Sequence, residues 1–315
     1  MSRGPVPIDR YLVAFLLVTA TACGAPDGAS VDASLGVPPD ATARTQAAPG
    51  PRHDEIMAAI KALTDRHACN RVTGCPGLVG LFQYGPDLIA PAAEALARPD
   101  RGDGHWSILL PEVLGQLADP RATTPLVTLL GDRRWEIRIA AAIGLAHLGD
   151  TAEPSALAEL TRLAALPDNE PGAGGDLGFR AALELALMRI DTAHAKQHRT
   201  TLVSLIPSER ERVLAVPPPV LDVLVAIIGH GRLSECLPAV RGGLATGNRF
   251  VVATSLDVAG RLQDNGAIIQ ILPLLEDQNP TLRKLAFGAL SQITGASFDS
   301  ARQWRDWATR VGIVQ

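Results

Sequence analysis

Residues 119–149 form a unit that recurs along the chain, and this unit constrains the fold more than any other feature. Apolar segments lie on both sides of Gly131-Asp132, which predicts two short helices joined by a tight turn. The apolar residues of the second segment fall on one helical face: Ile137, Ala141, Leu145 and Leu148. One helix pair cannot bury such a stripe alone, so the unit must stack against copies of itself. The sequence therefore predicts an all-α solenoid of stacked antiparallel helix pairs.

The same stripe occurs in four other segments: Trp106, Leu110, Leu114 and Leu117; Phe179, Leu183, Leu187 and Ile190; Val251, Ser255, Ala259 and Leu262; Leu282, Ala286, Leu290 and Ile293. These copies indicate about six helix pairs across residues 84–294. Residues 168–176 lengthen one turn. Such an insert is either a tolerated surface loop or one edge of a binding surface.

Composition agrees with closely packed helices and argues against one class of partner. Apolar residues make up 47% of the chain but aromatic residues only 4%, so the core consists of Ala, Leu, Val and Ile. The net charge is −4, and Lys61, Lys196 and Lys284 are the lysines of the chain. Without a basic stripe to neutralise phosphates, nucleic acid is not expected as a partner.

The amino terminus has the features of a secretory signal over residues 1–22. Arg3 and Arg10 precede a short apolar run, residues 11–18, and small residues follow it up to Cys23. The run is shorter than the ~20 apolar residues that span a bilayer. Residues 23–51 are rich in Ala, Pro, Gly, Asp, Ser and Thr, which predicts a disordered tether.

The small residues directly before Cys23 resemble the lipobox of bacterial lipoproteins. The resemblance implies that Cys23 is diacylated after cleavage before it, which anchors the chain in a membrane. Gly24 after the cysteine implies the outer membrane, with the protein facing the periplasm. Ordinary secretion with cleavage after Ala22 is the alternative.

The repeat pattern, strongest at 119–149 and 264–294, resembles HEAT repeats in the short form named after phycobilisome lyases. The resemblance implies a right-handed solenoid over residues 52–315, with an entry segment at 52–83, repeats at 84–294 and a cap at 295–315. It also implies turn aspartates that pair with helix arginines as a ladder: Asp132 with Arg138 and Asp277 with Arg283. In the cap, Trp304 and Trp307 share a helical face that closes the last apolar stripe.

Three cysteines follow Cys23. Cys69 and Cys75 close a short loop, and in an exported protein this spacing predicts a disulfide. Cys236 lies on an apolar helix face beside Leu237, which predicts a buried free thiol.

Two groups of side chains have spacings compatible with a metal: His67 with Cys69, and Asp191 with His194 and His198. A zinc site needs more convergent ligands than either group supplies locally, so no metal site and no cofactor are predicted. The histidines are expected to be solvated. The metal-binding hydroxylases built from HEAT repeats carry His-Glu pairs, which this chain lacks.

No common catalytic signature is present in the sequence. It contains no GxSxG elbow, no phosphate loop and no HExxH motif. Asp103, His105 and Ser107 crowd the start of one predicted helix, where side chains two apart do not face each other. The protein is therefore not expected to be an enzyme.

These features predict a scaffold that binds a protein or peptide along its second-helix face. Arg134, Trp135 and His147 are the predicted partner contacts, because they lie at the turn and along the second helix of the clearest repeat. Packing between neighbouring turns is an equal alternative for Trp135. An enzyme resembling the bilin lyases, a metal-binding HEAT protein and a structural spacer of the cell envelope are the other interpretations.

Overall fold

The computed structural model describes residues 52–63, 80–98, 106–166 and 177–314, and these residues form helices and turns without a strand. Several predicted features lie outside the described residues: the signal and tether, lipidation at Cys23, the Cys69–Cys75 disulfide, and the insert at 168–176. Fifteen α-helices are described: α1 (His53–Ala62), α2 (Ile89–Ala97), α3 (Trp106–Gln116), α4 (Thr123–Leu129), α5 (Trp135–Leu148), α6 (Pro154–Ala164), α7 (Leu177–Ile190), α8 (Ala195–Leu205), α9 (Arg210–Ala215), α10 (Pro218–Gly231), α11 (Leu237–Leu244), α12 (Arg249–Arg261), α13 (Ile268–Ile271), α14 (Pro280–Thr294) and α15 (Ala301–Arg310).

Short 3₁₀ segments precede or extend several of these helices: Phe82–Leu88, Pro120–Ala122, Gly149–Thr151, Ser234–Cys236, Asn265–Ala267 and Leu272–Glu276. No helix among the described residues is both long and apolar enough to cross a membrane.

The helix boundaries follow from local chemistry. The side chains of Asn248 and Asn279 accept hydrogen bonds from the first backbone N–H groups of α12 and α14, which have no partner inside the helix. Pro218 begins α10, where its missing N–H is no loss. Gly295 follows α14 with φ 71°, a left-handed conformation that glycine adopts without steric penalty.

The helices pack as a solenoid of antiparallel pairs, as predicted. The second helices of the pairs contact one another in the order α3, α5, α7, α10, α12 and α14. The first helices α4 and α6, and likewise α11 and α13, form the other layer. Between α7 and α10 the chain forms two helices, of which α8 packs against α7 and α9 packs against α11.

The second-helix layer is the more tightly packed of the two. A Cβ placed on Gly115 in α3 would lie 2.0 Å from the carbonyl oxygen of Gly144 in α5, so the two backbones are in direct contact. Nine of the 14 residues in each of α5 and α7 are buried. Close approach on one side of a helical stack bends the stack toward that side, which makes the second helices the inner layer.

The carboxyl-terminal helix α15 lies against the last pair. Its Trp304 is fully buried and meets Phe298 and Trp307 in edge-to-face contacts with ring centroids 4.9 and 5.6 Å apart. Ser300 and Gln303 form a reciprocal capping box that fixes the start of the helix.

One of the two predicted aspartate–arginine pairs, Asp277 with Arg283, takes a different form. Arg283 donates to the backbone carbonyl of Asp277 at 2.7 Å, whereas the Asp277 carboxylate accepts from the backbone of Asn279. The expected side-chain ion pair at this turn was therefore wrong, because the carboxylate is used to cap the turn. At the other turn, the guanidinium of Arg138 lies 5.0 Å above the ring of Phe179.

Candidate functional site

Polar side chains occupy the carboxyl-terminal ends of all six second helices among the described residues. Each lies within the last three residues of its helix: Gln116, His147, Arg189, His230, Arg261 and Gln292. Their positions place hydrogen-bond donors beside the helix-terminal carbonyls, which carry partial negative charge. Arg189 of α7 shows this arrangement, because its guanidinium donates to the carbonyl of His230 in α10 at 3.0 Å.

Three of these helices bring chemically reactive side chains to one point. Glu112 lies one turn before the end of α3, and His147 and His230 are the penultimate residues of the 14-residue helices α5 and α10. An oxygen of Glu112 is 3.7 Å from Nε2 of His147 and 3.9 Å from Nε2 of His230. The two imidazole rings meet edge to face, with centroids 5.2 Å apart. We call these three residues the Glu-His-His cluster.

The cluster is covered on most sides but open at one edge. Glu112 is 7% exposed and the side chain of His230 is 4% exposed, whereas the His147 side chain is 24% exposed. Nε2 of His147 itself is buried, and within the described residues it has no hydrogen-bond partner. The ring of His147 therefore separates the buried carboxylate from solvent.

The surroundings favour ionised Glu112 and neutral His230. Burial raises the pKa of the Glu112 carboxyl, but the neighbouring His147, His230 and Arg261 together outweigh burial and hold the pKa below its usual value. Burial lowers the pKa of His230 to about 3, against a smaller opposing effect from Glu112. At neutral pH the cluster thus presents a carboxylate and an uncharged imidazole.

The neighbours of the cluster hold it in place and balance its charge. Nε2 of Gln116 donates to Glu112 at 3.2 Å from one helical turn away. Arg261 is paired with Asp257 at 2.9 Å on the same helix, so much of its positive charge is already compensated. Two imidazoles and one carboxylate with this environment have the composition of a metal ligand set.

The three predicted partner contacts do not form one site. Arg134 and Trp135 lie at the start of α5, and His147 lies near its end, about 18 Å away at 1.5 Å per residue. Arg134 is 3.7 Å from the carboxylate of Asp132, and Trp135 is half-buried against the core. The assignment of partner contacts to these residues stays a prediction.

The histidines at the start of α8 behave differently from each other. His194 is solvated as predicted, with a 64% exposed side chain that contacts Asp191 at 2.9 Å. The same prediction was wrong for His198, whose side chain is 19% exposed and lies 2.9 Å from Glu184 of α7. The buried Glu184 needs a hydrogen-bonding partner, and this draws the His198 ring inward.

Sequence reasoning missed the Glu-His-His cluster and predicted no metal site. Glu112, His147 and His230 are far apart along the chain, and none belongs to a local metal-binding motif. One signal was available: His147 and His230 occupy the same position in two helices of equal length. In a repeat protein, equal positions lie on the same edge of the stack.

Cys236 is a buried free thiol, as the sequence predicted. Burial, assisted by the charge of Glu235, raises the pKa of this thiol to about 11. Asp103 and His105 of the suspected catalytic group lie outside the described residues, and Ser107 is fully buried.

Comparison with known proteins finds a similar family over part of the chain. Residues 109–171 match the family model described as HEAT repeats. They span α4 to α6 together with most of α3, and thus carry two members of the Glu-His-His cluster, Glu112 and His147. No curated protein matches the chain by sequence.

Solved structures with similar helical repeats have low sequence identity to this chain. Human deoxyhypusine hydroxylase in complex with glycerol is 16% identical, with 78% of this chain and all of that chain covered and a TM-score of 0.41. A designed armadillo repeat protein in complex with the peptide (KR)4 is 16% identical, with 78% of this chain and 95% of that chain covered and a TM-score of 0.32. These values are too low to transfer an activity or a ligand to this chain.

Proposed function

We propose that the protein is an exported, lipid-anchored scaffold that holds a protein or peptide partner along its second-helix layer and makes or breaks no covalent bond. The repeated row of polar side chains at the ends of the second helices carries this proposal. A surface built from repeats offers the same kind of contact many times, which suits an extended partner.

The exposed members of the row indicate the chemistry of the partner. Arg189 and Gln292 are exposed. Their side chains donate hydrogen bonds, and a guanidinium pairs best with a carboxylate. The partner segment is therefore rich in acceptors, namely backbone carbonyls and acidic side chains.

The residues predicted from sequence supply a second set of contacts. Arg134 and Trp135 at the start of α5 are residue types that contribute strongly at interfaces. The partly exposed edge of His147 lies at the other end of the same helix. A partner that contacts both ends would lie along α5, from one edge of the solenoid to the other.

The proposed location of the protein rests on the sequence alone. The signal at 1–22, the modified Cys23 and the tether at 23–51 would anchor the scaffold to the outer membrane and leave it mobile in the periplasm. The repeats would be the short phycobilisome-lyase form, in keeping with paired helices of 7 and 14 residues at α4 and α5.

The test is cross-linking and affinity purification of the full chain from membranes of its own organism, with mass spectrometry of the captured proteins and of the amino-terminal peptide. The expected result is one dominant envelope protein and an acylated Cys23. Absence of a reproducible partner, or a secreted chain without lipid, would contradict the proposal. A pigment that co-purifies with the chain would favour the lyase-like enzyme instead.

Matched variants locate the binding surface. Trp135→Ala and Arg189→Ala are each expected to reduce partner capture at least tenfold, since each removes an anchor of about 1.4 kcal/mol or more. Arg302→Ala removes an arginine whose side chain is 90% exposed on α15, outside the second-helix layer, and should leave capture unchanged. Unchanged capture in Trp135→Ala and Arg189→Ala would mean that the binding surface lies elsewhere, and equal loss in all three variants would mean that the effect is not specific to this layer.

A further inference from the structure

We propose that Glu112, His147 and His230 bind one divalent transition-metal ion, of which zinc fits the ligand set best. The proposal is independent of the scaffold function, because metal binding is measured without any partner. Nitrogen from imidazole and oxygen from carboxylate are the ligands that catalytic and accessory zinc sites combine in sets of three.

The distances within the cluster favour a shared ion over direct hydrogen bonds. The separations of 3.7 and 3.9 Å between the Glu112 oxygen and the two imidazole nitrogens are too long for hydrogen bonds. Two ligands that each lie about 2.1 Å from a tetrahedral zinc are about 3.4 Å apart. All three donor atoms lie within 4.8 Å of one another, so shifts of a few tenths of an ångström to about 1 Å bring them around one ion.

The buried nitrogen of His147 provides a separate argument. Nε2 of His147 is buried and has no hydrogen-bond partner among the described residues. An unsatisfied buried polar atom destabilises the fold by about 1–3 kcal/mol. A metal ion at the centre of the cluster removes this penalty and simultaneously compensates the buried charge of Glu112.

Two neighbouring side chains suit a site for a cation. The hydrogen bond from Gln116 orients the carboxylate, a role that outer residues commonly have around metal sites. The nearby Arg261 is compensated by Asp257, which reduces its repulsion of a cation.

Three protein ligands leave a fourth position for water or another molecule. The open edge of the cluster lies at His147, whose side chain is the most exposed of the three. The His147 ring covers the ion on that side, so exchange of zinc with a chelator in solution requires this ring to move.

The experiment uses the full chain after treatment with a chelator. Zinc is titrated against a chromogenic chelator, the bound metal is quantified by mass spectrometry, and Co²⁺ spectra report the ligand type. We expect one zinc per chain and a Co²⁺ spectrum without thiolate charge transfer. The spectrum separates this site from any site formed by the cysteines.

Three variants test the assignment. His147→Asn is expected to weaken zinc binding ~100-fold, and Gln116→Ala about tenfold by releasing the carboxylate. His194→Asn changes an exposed histidine outside the cluster and should bind zinc like the wild type. Circular dichroism checks that each variant is folded; His147 and Gln116 are both partly exposed.

Two results would overturn the assignment. Wild-type and His147→Asn chains that bind zinc equally would show that the ion lies elsewhere. Loss of binding in His194→Asn alone would assign the metal to the surface histidines of α8.

Discussion

At the scale of the residue, burial determines the reactivity of Cys236. The residue is 3% exposed, and burial raises the pKa of its thiol to about 11, well above the usual value. The thiolate is the reactive form, so both access and ionisation oppose modification. We expect no alkylation by iodoacetamide in the native chain at pH 8 and complete alkylation in urea, with mass spectrometry of the Cys236 peptide as the measurement.

The raised pKa of Cys236 also predicts how this residue affects the stability of the fold at high pH. Because the folded pKa is raised, the unfolded thiol ionises first as pH increases. The contribution of the Cys236 thiol to the free energy of unfolding is therefore fully present below about pH 9. It is lost as the pH rises from 9 to 11. Rapid alkylation of the native chain by iodoacetamide at pH 8 would contradict the first prediction for Cys236. It would mean that the helical segment around this residue opens readily.

The absence of a side chain at Gly115 is what permits the closest helix contact. A Cβ there would meet the backbone of Gly144, which has no flexible atom that can move aside. We expect Gly115→Ala to lower the free energy of unfolding by about 1–3 kcal/mol or more, measured by urea denaturation.

Gly288 in α14 is the matched control for that substitution. Nothing lies within 4 Å of a Cβ at this position, and the residue is exposed inside a helix. Gly288→Ala should therefore stabilise the chain by up to about 1 kcal/mol through helix propensity. Equal effects at the two glycines would mean that α3 and α5 are not in backbone contact.

At the scale of the element, a buried hydrogen bond connects α10 to α12. The hydroxyl of Thr254 donates to the carboxylate of Asp222 at 2.5 Å, and both residues are buried. Thr254→Val keeps the shape but removes one donor from a buried carboxylate. We expect a loss of about 1–3 kcal/mol in unfolding free energy. Thr254→Ser keeps the hydroxyl and should be clearly less destabilising; the reverse order would contradict the role of the bond.

The elements themselves were largely predictable, and the reasons are local. The turn at Gly131-Asp132 and the stripe of Ile137, Ala141, Leu145 and Leu148 depend on neighbouring residues, so the pattern alone located α4 and α5. The position of the His198 ring was not predictable, because it depends on a buried glutamate one helix away. The prediction that Asp277 pairs with Arg283 was wrong for a similar reason. A carboxylate in a turn has backbone N–H groups nearby that compete as donors.

At the scale of the whole molecule, the candidate site depends on how strongly the stack curves. Glu112 on α3 and His230 on α10 meet although two second helices, α5 and α7, lie between α3 and α10 in the stacking order. Neighbouring helix axes are ~8–10 Å apart, so a straight stack would keep α3 and α10 much farther apart. Sequence periodicity locates the repeats, but the angle between successive repeats is a packing property that periodicity does not give.

The helices near the Glu-His-His cluster have more neighbours than the helices at the carboxyl-terminal end. Helices α3, α5 and α10 are connected through the Glu-His-His cluster as well as through their neighbours. The last pair, α13 and α14, has α12 and α11 on one side and α15 near the other end. In a solenoid, repeats that have contacts on one side only depend on the capping element for protection.

The final prediction concerns Trp304, the largest fully buried side chain of α15. Trp304→Ala should destabilise the capping region by about 3–5 kcal/mol because it leaves a cavity. We expect hydrogen exchange to accelerate in α13, α14 and α15 and to stay unchanged in α5 and α7. Trp304→Phe is the control, because it retains most of the ring volume and removes an indole N–H that has no hydrogen-bond partner among the described residues. Faster exchange throughout the chain in Trp304→Ala would show instead that the solenoid unfolds as one cooperative unit.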